Sequence, residues 1–125
     1  AKIKGEPDVT VWGSGTPLRE FLNVDDLADA CLFLMDHYRG NEFFNVGFGE
    51  EVTIRELAEL VKKTVGFEGG IVMDATKPDG TMRKLTDISR IKALGWEPKI
   101  SLEAGLKETY EWFQKKYESG DYATR

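Results

Sequence analysis

Val9 to Trp12 is a short β-rich run that stops at Gly13-Ser14-Gly15-Thr16-Pro17, two glycines and a proline in five residues, so the pattern predicts a strand ending in a tight loop. Glu20 to Asn23 reads as a second extended segment. It leads to Asp25-Asp26, whose carboxylates suit a helix N-terminus, and Leu27, Cys31, Leu34 and Tyr38 then recur at i, i+4, i+7 and i+11. That spacing predicts an amphipathic helix ended by Gly40, with Cys31 on its apolar face. Phe43 to Val46 reads as a buried strand before Gly47 and Gly49. Thr53-Ile54-Arg55-Glu56 has the form of a capping box and opens a helix that carries Leu57, Ala58, Val61 and Val65 and closes at Gly66. A strand from Ile71 to Asp74, a charged loop from Ala75 to Lys84 and a short helix from about Ile88 to Leu94, stopped by Gly95, follow. The last helix starts at Ser101, a suitable N-cap, and sets Leu102, Leu106, Phe113 and Tyr117 along one face. Four helices alternating with short strands give an α/β or α+β architecture around a small mixed sheet.

Composition narrows this picture more than it enlarges it. The chain has 125 residues, which suits one domain spanning 1–125 with a single core. Seventeen Lys and Arg against 22 Asp and Glu leave a net charge of −5, which argues against a main role in neutralising nucleic-acid phosphates. The longest apolar run, Ala30 to Met35, falls well short of the roughly 20 residues of a membrane helix, and no signal segment opens the chain. A cytoplasmic protein with neither membrane nor nucleic-acid partners is the expectation. One cysteine and one histidine cannot build an ordinary zinc site or an internal disulfide.

Two places imitate a dinucleotide-binding turn and lack its chemistry. Gly13-Ser14-Gly15 has Leu18 where the third glycine belongs, and Pro17 leads to an extended segment instead of a helix. Gly47-Phe48-Gly49 has Val52 at that position, and Glu50-Glu51 put two negative charges where a pyrophosphate would sit. Tyr110 with Lys115 or Lys116 misses the Tyr-x-x-x-Lys spacing, and His37 and Cys31 read as structural, so no catalytic residue and no cofactor-binding residue is expected in this chain. Thr76 to Lys84 holds three cations and one carboxylate in nine residues. A solvated turn around Pro78-Asp79-Gly80 accounts for it. A phosphate site accounts for it too, if Arg19 joins the cations and Trp12 offers an aromatic face across the glycine loop.

Read together, the segments resemble the extended short-chain dehydrogenase/reductase family. Val11-Trp12-Gly13-Ser14-Gly15-Thr16-Pro17-Leu18-Arg19 through Ala28 is similar to the strand, loop and helix that open that family's substrate half. Asn45-Val46-Gly47 with Thr53-Ile54 and Glu56-Leu57 is similar to its next strand-to-helix turn. Lys77-Pro78-Asp79-Gly80-Thr81-Met82-Arg83-Lys84, with Gly95-Trp96 and the Ser101 to Phe113 segment, narrows the resemblance to the branch acting on GDP-linked keto-deoxy sugars. The resemblance implies a C-terminal substrate domain of an extended enzyme, lacking its Rossmann half. It implies an activity in which GDP-4-keto-6-deoxy-D-mannose is epimerised at C3 and C5 and then reduced at C4 with NADPH. The epimerisation acid and base and the NADP turn belong to that Rossmann half, and the full-length enzyme is a homodimer. By the same pattern Trp12 and Arg19 contact the GDP part, Lys84 reaches the diphosphate with Arg83, and Asp79 joins the substrate-binding set. The alternatives are the substrate domain of another nucleotide-sugar epimerase or dehydratase, a nucleotide- or diphosphate-binding module without catalysis, and a packing unit whose cations are merely solvated.

Overall fold

The computed structural model describes residues 1–120. The last five positions of the expected 1–125 domain lie outside the described residues. Among the described residues the expected α/β architecture with four helices is present, with two small sheets in place of one. Strand β1 (Asp8–Trp12) pairs in parallel with β4 (Gly70–Asp74), Trp12 standing opposite Asp74. The second sheet is mixed. Its central strand β2 (Leu18–Arg19) runs antiparallel to β3 (Val52–Thr53) and parallel to β5 (Arg83–Lys84).

The helices are α1 (Val24–His37), α2 (Ile54–Val65), α3 (Ser89–Ala93) and α4 (Leu102–Glu118). Asn23 caps α1 by accepting the Asp25 N–H at 2.8 Å. The capping box of α2 is complete: the Thr53 hydroxyl accepts from the Glu56 N–H and the Glu56 carboxylate accepts from the Thr53 N–H at 2.7 Å. Gly66 ends that helix at φ 64°, where a side chain would be strained. Ser101 caps α4 by accepting the Ala104 N–H.

The buried core is Ala30, Ile88, Ile91 and Trp96, with Leu22, Phe33, Leu34, Phe44 and Val46 packed around it. One polar side chain joins it. Asp26 is 3% exposed and accepts the N–H groups of Lys99 (3.1 Å) and Ile100 (2.9 Å), which fastens α1 to the segment before α4. Beside it, Trp96 Nε1 donates to Asp29 Oδ2 at 2.9 Å, and that bond, with Lys99 next, holds the Asp29 carboxyl below its ordinary range.

Several expectations from the sequence change in the folded chain. The buried face of α1 is Asp26, Ala30, Phe33 and Leu34, so Cys31 is exposed and Leu27 is nearly half exposed. The helix is rotated by about one position because Asp26 turns inward to its two backbone donors and small Ala30 faces the core side chains. Glu20–Asn23 is not a strand; the paired residues are Leu18 and Arg19. Phe43–Val46 is not one either. Its backbone is held by a side chain, with Arg90 donating to the Phe43 carbonyl at 2.8 Å and lying 4.9 Å from the Phe44 ring centroid, and Phe43 itself stays exposed. The charged loop ends in β5, because the Arg83–Lys84 backbone completes the ladder beside β2. On α4 the inner side carries Leu102, Leu106 and Tyr110, while Phe113 and Tyr117 are less covered, at 42% and 37% exposed.

Candidate functional site

The parallel pairing of β1 with β4 delivers two loops to one end of that sheet. Gly13 N–H donates to the Asp74 carbonyl at 2.9 Å, so the glycine loop leaves β1 directly beside the loop that leaves β4. Asp79 then joins them. Its Oδ1 accepts the Ser14 N–H at 2.8 Å and its Oδ2 accepts the Ser14 hydroxyl at 2.7 Å. These donors, the hydroxyl first, hold the Asp79 carboxyl below its ordinary value. Gly13 at φ 89° makes the close approach possible, since a Cβ there would lie 2.4 Å from Asp79 Oδ1. The Ser14 Oγ also accepts the Thr16 N–H at 3.1 Å, which folds the loop back on itself.

On this frame sit an exposed ring and the cations. Trp12 is 72% exposed, with the Lys77 ammonium 5.4 Å from its ring centroid. Arg19 is half-buried in β2, its Nη1 donating to the Leu18 carbonyl at 2.6 Å and its Nη2 beside Gly80. Lys84 is its direct partner in the parallel ladder, so the two cations neighbour each other on one sheet. The Lys84 side chain is exposed and has no hydrogen-bond or ion-pair partner among the described residues. Arg83, one position earlier, is taken by Glu51. Its Nε lies 2.8 Å and its Nη2 2.7 Å from the Glu51 carboxylate, and that bond raises the guanidinium pKa further.

Of the residues singled out from sequence, Trp12, Arg19, Lys84 and Asp79 are drawn to one region by the glycine loop and the Asp79-Gly80 turn. Arg83 belongs to an ion pair, and Asp79 spends both carboxylate oxygens on Ser14. Ser14, Lys77 and Glu51 carry parts of the geometry that sequence reasoning did not assign. The polar Ser14 between two glycines was the available signal for the first. Nothing in the sequence announced Glu51 as the partner of a residue 32 positions away. His37 is exposed, its Nδ1 2.9 Å from the Phe33 carbonyl and its ring stacked on Phe33 at 4.2 Å.

Neither of the two glycine turns fits the pyrophosphate of a dinucleotide. A pyrophosphate needs free backbone N–H groups in a glycine turn. Here the Ser14 N–H is given to Asp79 and the Gly49 N–H to the Glu20 carboxylate at 3.1 Å, so both turns are already filled by the protein's own anions. Among the described residues no cluster of three or more His, Cys, Asp or Glu could hold a metal, and no helix is long and apolar enough to cross a membrane.

Residues 1–47 match the NAD dependent epimerase/dehydratase family. The chain is 64% identical over 115 residues to GDP-L-fucose synthase 1 of Arabidopsis thaliana, a match covering 92% of this chain and 36% of that protein. It is 52% identical over 122 residues to the GDP-L-fucose synthase of Escherichia coli K12, covering 90% and 38%. A crystal structure of a GDP-L-fucose synthetase from Naegleria fowleri bound to NADP superposes with a TM-score of 0.87 at 32% identity, covering 94% of this chain and 37% of that one. The chain spans a little over a third of the length of these relatives.

Proposed function

We propose that the chain belongs to the NAD dependent epimerase/dehydratase family and is the GDP-sugar-holding, C-terminal part of a longer NADP-dependent enzyme that converts GDP-4-keto-6-deoxy-D-mannose to GDP-L-fucose by 3,5-epimerisation and 4-reduction. The observation that carries this reading is the side-by-side placement of Arg19 and Lys84 across the β2–β5 ladder, below a glycine loop that presents Trp12. Two cations of different geometry suit a diphosphate: the guanidinium offers a planar fork and the ammonium a movable point charge. Trp12 presents an open aromatic surface beside them for a planar part of the ligand.

In this reading the chain does no bond chemistry. Arg19 and Lys84 hold the diphosphate, the Asp79–Ser14 clamp keeps the Trp12 loop in place, and the sugar is thereby set in position against groups contributed by a second unit. That is catalysis by orientation, drawing on binding energy from the non-reacting nucleotide. NADP supplies the hydride for the C4 ketone and is assigned to that second unit, because both glycine turns of this chain are closed by carboxylates. The complete enzyme is assigned as a cytoplasmic homodimer.

Isothermal titration of GDP against Arg19→Ala and Lys84→Ala in the complete enzyme tests the site. Each change removes a charge-assisted bond worth about 1.5–3 kcal/mol, hence a loss of about ten- to a hundredfold in affinity. NADPH binding should hardly move, and Arg19→Lys should recover only part of the loss. Wild-type GDP affinity in both variants would mean that the cations are solvated surface charges.

A further inference from the structure

Strand β5 is a two-residue edge strand joined to β2 by a short parallel ladder, so the sheet alone does little to fix where Lys84 stands. The chain on both sides of Lys84 is held from β2 instead. Two residues before it, the Met82 carbonyl accepts the Leu18 N–H at 2.8 Å. Two residues after it, the Thr86 N–H donates to Glu20 Oε1 at 2.8 Å. The backbone of Leu18 and the side chain of Glu20 therefore bracket Lys84, and Arg19 lies between those two residues in the chain.

The Glu20 carboxylate is itself anchored on its other oxygen. Its Oε2 accepts the Gly49 N–H at 3.1 Å, and Gly49, at φ 85°, would set a Cβ only 2.9 Å from Cδ1 of the buried Ile88, so this turn is pressed onto the core. Gly47 leaves the carboxylate its room. A Cβ there would stand 2.7 Å from Oε2, and the three nearest heavy atoms all belong to Glu20. Glu20 is half-buried, and no cation pairs with it among the described residues. A carboxylate that is not neutralised, one residue from Arg19, subtracts from the positive potential that an anion would meet there. Its charge thus works against anion binding while its hydrogen bonds order the cations.

We propose that Glu20 is a positioning residue for the diphosphate: without touching the ligand, it ties the Lys84 segment and the Gly47–Gly49 turn to the strand that carries Arg19, so that the two cations are spaced before the ligand arrives. The inference rests on the reading of Arg19 and Lys84 as the diphosphate site. Ordering done in the free protein is not charged to the binding step, which is how a contact remote from the ligand raises affinity.

Titration of GDP against Glu20→Gln in the complete enzyme, alone and combined with Lys84→Ala, separates geometry from charge. Glutamine keeps the length but puts an NH2 donor where one acceptor oxygen was, facing the N–H of Gly49 or of Thr86. Positioning requires Glu20→Gln to bind GDP about tenfold more weakly although a negative charge has been removed. In the Lys84→Ala background the same change should move the affinity by less than about twofold, because the cation it places is gone. Gly47→Ala crowds the carboxylate and leaves its charge intact; it should weaken GDP binding in the same direction and add little to Glu20→Gln. If Glu20→Gln does not fold, Gly47→Ala carries the same cycle, and wild-type affinity in it overturns the proposal. Unchanged or tighter GDP binding in a folded Glu20→Gln overturns it too. So does an equal loss in the Lys84→Ala background, which would make Glu20 a support of the fold at large. If Lys84→Ala alone binds GDP like wild type, the diphosphate site itself fails and this inference with it. A weakened Lys84→Ala beside an unaffected Glu20→Gln removes the role of Glu20 and leaves the site standing.

Discussion

Asp79 and Ser14, 65 positions apart, form a two-point clamp in which the carboxylate accepts both the backbone N–H and the hydroxyl of the same residue. Its consequence is mechanical: the loop carrying Trp12 is fixed to the loop that runs on to Arg83 and Lys84, so the aromatic face and the cations move together. Asp79→Ala should release the glycine loop, raising amide exchange at Ser14 and Thr16 several-fold while exchange in α2 stays unchanged. Equal exchange in the variant would show that the loop is held by its glycines and proline instead.

The same clamp sets a pH dependence. Its hydrogen bonds depress the folded-state pKa of Asp79 below the ordinary 3.8 that the unfolded chain should show. A depressed carboxylate contributes stability that is fully present above the unfolded value and is lost as pH falls through the lower folded value. Trp12 emission, taken as the difference between the wild type and Trp12→Phe, should therefore hold constant down to about pH 4 and change below it. In Asp79→Asn that acid step should be missing. A Trp12 transition centred near neutral pH would rule the clamp out as its source.

Most of the fold's punctuation is legible in the sequence, because caps and glycines act locally. Thr53 with Glu56, Gly66, and Ser101 before α4 each declare themselves within a few residues. What the sequence hides is set by partners far along the chain. The rotation of α1 follows from Asp26 meeting Lys99 and Ile100, more than 70 positions away, and no periodicity in α1 contains that information. The Phe43–Val46 segment has strand-like composition, yet Arg90, 47 positions on, takes its carbonyl. At the candidate site, residue types point to Trp12, Arg19 and Lys84, while the ladder register that makes Arg19 and Lys84 neighbours is a tertiary fact. Local chemistry likewise cannot tell that Arg83 is committed to Glu51.

That commitment separates the two adjacent cations. If Arg83 serves the β5 end of the fold and Lys84 serves the ligand, Arg83→Ala should leave GDP affinity within about fivefold of wild type, since the guanidinium is held by Glu51 and not by the ligand. Lys84→Ala should lose more. A fall of about a hundredfold in Arg83→Ala, with Glu51→Gln behaving like wild type, would show instead that the guanidinium leaves Glu51 for the ligand.

Asp26 should matter to stability alone. Its truncation to Ala leaves the Lys99 and Ile100 N–H groups without their acceptor, at about 1–3 kcal/mol for each donor that stays dry. Asp26→Asn keeps one acceptor oxygen and should recover part of the loss. Urea unfolding followed by Trp96, which packs in the same core, measures this. A midpoint for Asp26→Ala within error of wild type would mean that water replaces the carboxylate without cost.

Gly13 and Asp79 should act on ligand binding as one unit. Gly13→Ala strains a residue at φ 89° and places a methyl group 2.4 Å from Asp79 Oδ1, so the clamp cannot close in its present form. Each single change should then weaken GDP binding by a similar factor, through loss of loop order and not through lost contact with the nucleotide. Combined, they should cost little more than either alone, because a clamp already open has nothing further to lose. Titration of GDP against the wild type, both single variants and the pair gives the coupling directly. If the two losses add in free energy, Gly13 and Asp79 contribute separately: the glycine through backbone shape, and the carboxylate through a contact of its own with the ligand.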